Sequence, residues 1–110
     1  MNDFEIIKET AVVVQNDFYF EDLKENLPQS AEDGYQKILE YLAKRIAYML
    51  DYEFEQLMQI FYRIDLNEQK VKQAITSADS PSEKLANLVL EREMQKAQTR
   101  LAYKQKNRSK

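Results

Sequence analysis

Aspartate, glutamate, lysine, tyrosine, serine and threonine supply the acids, bases and nucleophiles of this 110-residue chain, because it contains no histidine and no cysteine. Imidazole or thiolate catalysis, zinc sites built on those ligands, and disulfides are therefore excluded within it. Carboxylates crowd at Asp51, Glu53 and Glu55, and again at Glu91 and Glu93. Residues two apart on a helix point in well-separated directions, so neither group converges on one ion. Di-iron bundles use Glu-x-x-His pairs, and calcium loops need a twelve-residue pattern that is not found here. Gly34 is the single glycine, too few for a phosphate-cradling loop. Two carboxyl groups can do acid–base work when their pKa values are pushed apart, but no such pair stands out. Lys44 and Arg45 beside Tyr41 and Tyr48 offer a contact for an anion without suggesting a reaction. The expectation is a protein that is not an enzyme, with no cofactor, no metal and no evident small-molecule substrate.

What remains is binding chemistry. The last sixteen residues hold six Lys/Arg and no acid, whereas the preceding 94 hold ten Lys/Arg against nineteen Asp/Glu. A net charge of −3 thus conceals an acidic body and a basic end, which attract different partners. Arg92, Lys96, Arg100, Lys104, Lys106, Arg108 and Lys110 could track a polyanion, giving the reading of an accessory nucleic-acid or ribosome binder. Cations also favour the negative end of a helix and aid solubility, and no recognition-helix pattern or aromatic stacking platform accompanies them. A second binding strip is Tyr41, Arg45, Tyr48 and Tyr52, at steps of four, three and four. Tyr and Arg bury much area while satisfying a polar tip, which suits a protein partner.

These residues must be positioned by helices. With 44% hydrophobic residues, one glycine and two prolines, the chain can fill a core but lacks the turn residues of an all-β fold. Phe4, Ile7, Ala11, Val14 and Phe18 recur at steps of three and four, forming a helical seam. The run Val12-Val13-Val14 followed by Phe18-Tyr19-Phe20 competes as a hairpin, but the turn lacks glycine and an isolated hairpin is marginal. Pro28 ends this element at Leu27 or earlier. Ser30 then reads as the cap of a helix whose core face is Tyr35, Ile38, Leu39, Leu42, Ile46, Met49 and Leu50. Asp51 reads as the next cap, with a continuous kinked helix as the alternative.

From Phe54 to Ile64 apolar residues cover more than half the circumference, so this helix is expected at the centre of the core. Asp65-Leu66-Asn67-Glu68 reads as an acidic cap before a short helix burying Val71, Ala74, Ile75 and Ala78. Ser80-Pro81-Ser82-Glu83 combines a hydroxyl cap, a proline at the first position and a closing Glu. The last helix carries Leu85, Leu88 and Val89, then a rotated narrow stripe of Leu90, Met94, Ala97 and Leu101. That stripe resembles a coiled-coil seam. It either docks on the first helix of its own chain or serves self-association.

The segments Phe61-Tyr62-Arg63-Ile64-Asp65 and Asn67-Glu68-Gln69-Lys70-Val71 resemble stretches of small, uncharacterised all-helical bacterial proteins. The resemblance spans Tyr41 to Leu101 and implies a helical bundle, with no activity attached. The acidic start and the lack of a long apolar run lead us to expect no signal peptide, no membrane span and a cytoplasmic location. The stripe of Leu90, Met94, Ala97 and Leu101 has no aromatic anchor to hold a bilayer surface. The sequence thus predicts an all-α bundle of four to five helices, with one domain over 1–104 and a basic tail over 105–110. It predicts a non-catalytic interaction protein, an adaptor or regulatory subunit that forms homodimers or binds another protein.

Overall fold

A computed structural model describes residues 2–76 and 79–108, Arg108 by its backbone only. Five helices follow one another: α1 (Asp3–Phe18), α2 (Ala31–Tyr52), α3 (Phe54–Arg63), α4 (Glu68–Thr76) and α5 (Pro81–Arg108). No strand occurs among the described residues, and the all-α bundle stands.

Residues 4–20 resolve as helix rather than hairpin. Asn2 caps α1 by accepting from the Glu5 amide at 2.8 Å, and Ile7, Ala11, Val14 and Phe18 are buried along the expected seam. The helix ends at Tyr19, whose φ of 59° is left-handed, with the Phe20 amide closing on Gln15 O at 3.0 Å. Leu23 then anchors the connection in the core. Ser30 caps α2 as expected, accepting from the Asp33 amide at 3.1 Å.

Two caps differ from the sequence reading. Asp51 lies inside α2, and the break falls at Glu53, whose side chain makes no capping hydrogen bond. Backbone bonds from Glu53 N to Met49 O and from Leu57 N to Glu53 O meet at this residue, whose φ of −141° and ψ of 47° are not helical, so one residue separates α2 from α3. Asn67, not Asp65, caps α4 by accepting from the Lys70 amide at 3.1 Å. Asp65 instead sits at φ 60° and turns the chain out of α3, a conformation short polar residues tolerate. α5 begins at Pro81 as the sequence indicated, although Ser80 is at φ 47° rather than extended. The proposed burial of Ala78 lies outside the described residues.

The centre of the core is α5, not α3. α5 packs against α1, α2 and α4, whereas α3 packs chiefly against α2. Leu85, Ala86, Val89, Leu90 and Ala97 have no exposed surface. The two rotated stripes of α5 explain this, because a helix with two apolar faces can serve several neighbours. Its 28 residues extend about 42 Å at 1.5 Å per residue, close to the 48 Å long axis of the molecule. The helix continues through residues 105–108, so position 104 marks no break in secondary structure. Ala102 to Asn107 are all exposed.

α2 approaches α1 closely at Gly34, where an added Cβ would lie 2.7 Å from Ile7 Cγ2. Alanine would gain about 1 kcal/mol in helix propensity. Overpacking against a buried, β-branched neighbour costs about 1–3 kcal/mol. The clash should win: Gly34→Ala is expected to lower stability by about 1 kcal/mol in urea titration. Adding Ile7→Ala should make the Gly34→Ala change stabilising.

Candidate interaction surface

α1 and α5 run antiparallel, and the ions between them decide which cations remain for a partner. Lys96 Nζ lies 2.8 Å from Asp17 Oδ2 and 3.3 Å from Glu93 Oε2. Two turns further along α5, Lys104 Nζ is 2.7 Å from Glu9 Oε1 and Arg100 Nη2 is 3.4 Å from Glu9 Oε2. Arg92 donates through Nε to Ile64 O at 2.9 Å and through Nη1 to Gln95 Oε1 at 3.3 Å. Four of the seven residues read as a polyanion track therefore have intramolecular partners. Lys106 is exposed, and the Arg108 side chain and Lys110 lie outside the described residues.

The stripe read as a self-association seam is also spent within the chain. Leu90 and Ala97 are fully buried, and Met94 and Leu101 are half-buried. Leu90 and Ala97 therefore have no surface left to offer a second copy in this packing.

Within that seam lie two carboxyl groups that the sequence reading did not pair. Glu93 has no exposed surface, and neither of its oxygens accepts a hydrogen bond. Lys96 stands at ion-pair distance from it. Burial raises the Glu93 pKa, and the hydrogen bond and charge of Asp17 raise it further, to about 8 from an ordinary 4.5. Burial also works to raise Asp17, but the hydrogen bond from Glu93, followed by Lys96 and Arg63, holds it below 3.8. One carboxylic acid thus donates to one carboxylate. Glu93 itself has no exposed surface for a ligand to touch. Among the described residues no cluster of acidic side chains could hold a metal, and no helix is long and apolar enough to cross a membrane.

The tyrosine strip on α2 divides in two. Tyr41 packs edge-on against Phe20 with ring centroids 5.4 Å apart. Arg45 stacks on the same ring at 4.5 Å and donates to Phe18 O at 2.8 Å. Arg63 on α3 likewise donates to Asp17 O at 2.9 Å. These two arginines satisfy carbonyls at the end of α1, which has no basic residue in its own last turn. Arg45 is therefore engaged in closing the fold. Tyr48 and Tyr52 remain open, 54% and 74% exposed, with ring centroids 5.0 Å apart.

An apolar groove of about 780 Å³ lies between α3 and α4. Phe61 and Val71 are the buried residues among its lining, with Met58, Leu66 and Ile75 half-buried around them. Phe54 and Tyr62 flank it, 46% and 82% exposed. Asp65, Glu68 and Lys72 add charges of both signs. Phe54, Met58 and Tyr62 lie at steps of four on α3, beside the inward face of Leu57, Ile60, Phe61 and Ile64. The apolar excess that suggested a central helix is in fact a second stripe left open on a peripheral one. Counting it as a separate stripe would have found the groove.

Arg45→Met, which keeps the stem but removes the donor, is expected to cost about 2 kcal/mol, typical of a partly buried hydrogen bond to a charged group. Tyr48→Phe should change stability by less than about 0.5 kcal/mol, as expected for an exposed position, when both are compared by chemical denaturation. No family model matches the chain, and no curated protein or solved structure was found that matches it.

Proposed function

We propose that this is a non-catalytic interaction protein that self-associates through the groove between α3 and α4. The observation that carries this reading is the open apolar groove with Tyr62 standing 82% exposed beside it. Large exposed aromatic residues next to an apolar concavity mark contact sites, because removing them from water stabilises an assembly. The other long apolar stripes, on α1 and α5, are covered from within.

A second copy is the occupant that the charges favour. A two-fold interface must be self-complementary, with each feature matched by another feature of the same surface. The groove supplies a cavity and a projecting ring beside it. Glu68 and Lys72 lie one turn apart on α4, so two α4 helices crossing antiparallel about a two-fold axis pair Lys72 of each with Glu68 of the other. Tyr52 and Phe54 are separated in the chain only by Glu53, which makes Tyr48 and Tyr52 a natural extension of the contact. An adaptor or regulatory role follows from such an interface with no reactive site attached.

The wild-type chain is expected to show twice the monomer mass by light scattering at tens of micromolar. Tyr62→Glu should return it to monomer with unchanged helicity, because so exposed a ring contributes little to folding. Tyr103→Glu, at another exposed ring 67% open but on α5, should leave the dimer intact. Lys72→Glu should weaken the dimer, and Glu68→Lys combined with it should restore association. A wild type that is monomeric at these concentrations would overturn the dimer and leave the groove to a foreign amphipathic helix.

A further inference from the structure

We propose that Glu93 is a proton-operated latch: protonated, it holds α1 closed on α5, and ionised, it loosens α1 from the bundle. The inference is independent of the docking groove. It rests on a carboxyl group sealed from solvent, neither of whose oxygens accepts a hydrogen bond, beside the carboxyl of Asp17.

Geometry makes the proton decisive. With its proton, Glu93 donates to Asp17, and one negative charge faces one ammonium, Lys96, 2.8 Å away. Without it, two carboxylates share that lysine, and Glu93, unlike Lys96 and Asp17, has no surface open to water. The ionised group can neither be hydrated nor turn away from its neighbour, and such burial without a full partner is costly. Water can reach it only if α1 lifts.

The charged groups around the site are few. α1 contributes Asp17, and α5 itself contributes Lys96. α3 contributes Arg63, which acts on Asp17 and donates to Asp17 O. Among the described residues of α2 and α4, the other helices packed against α5, no charged group acts on Glu93. Farther along the seam, Glu9 is balanced by Arg100 and Lys104. Nothing nearby replaces the lost proton.

The direction of the pH dependence follows. The unfolded chain releases the Glu93 proton near 4.5, whereas the folded chain keeps it to about 8. Within that window the folded state binds more protons, so stability falls as pH rises, by up to tenfold in the folding constant per unit. Above it the loss is complete. Asp17 acts oppositely and in acid only: its contribution is present above 3.8 and disappears as pH falls through its lower folded value.

Amide hydrogen exchange of the full chain, corrected for intrinsic rates, tests the latch between pH 6.5 and 9. Protection in α1 should fall at least tenfold across this range, and by more than protection in the core of α2. Glu93→Gln keeps a donor for Asp17 but cannot ionise, and should abolish the difference. Carbon-detected titration of the Glu93 carboxyl in the wild type should show a midpoint near 8, with no dependence on any variant folding. An ordinary midpoint near 4.5 would overturn the proposal. So would uniform loss of protection across α1 and α2, or a pH dependence that survives in Glu93→Gln.

Discussion

Lys96 serves two carboxyl groups at once, Asp17 at 2.8 Å across the seam and Glu93 at 3.3 Å on its own helix. The placement of α1 along α5 depends on that arrangement. The apolar residues of the seam include Ala11, Val14 and Ala97, whose small side chains allow close approach but discriminate weakly between registers. Sliding α1 by one turn would strand Glu93 without Asp17 and separate Glu9 from Lys104. Buried ions of this kind contribute little net stability compared with apolar replacements, but they penalise wrong alignments heavily. Here they set which turn of α1 meets which turn of α5.

The same charges close the ends of α1. A helix leaves its last carbonyls without amide partners, and α1 has no basic side chain in its final turn to attend to them. Arg45 reaches Phe18 O from α2, and Arg63 reaches Asp17 O from α3. The end of α1 is thereby fastened to three other helices, since Lys96 of α5 holds its Asp17 as well. Of the six cations in the basic end, Lys96, Arg100 and Lys104 pair with Asp17 and Glu9 of α1.

Placing α5 at the centre has a consequence at the far side. A ten-residue α3 that reaches chiefly α2 can bury only one face. Leu57, Ile60, Phe61 and Ile64 take it, and the parallel stripe of Phe54, Met58 and Tyr62 is left beside α4. Among the described residues no further helix covers it. The groove is therefore a product of helix arrangement as much as of composition.

Helix identity was legible in the residues themselves: the seam of α1, the Ser30 cap, the core face of α2 and the start of α5 at Pro81 all follow from spacing and capping chemistry. These are local effects, set by side chains three or four residues apart. The break at Glu53 and the cap at Asn67 were missed because several residues nearby could do either job, and the path of the chain selected among them. Which helix would be central was not legible, because an apolar circumference is equally consistent with burial on all sides and with a stripe left open. Nor was the pairing of Asp17 with Glu93, 76 positions apart. The sequence by itself determined an all-α chain of four to five amphipathic segments and their polarity. Only the tertiary structure decided which charges neutralise each other and which apolar face stays open, since both depend on contacts between residues that the chain brings together only when the helices pack.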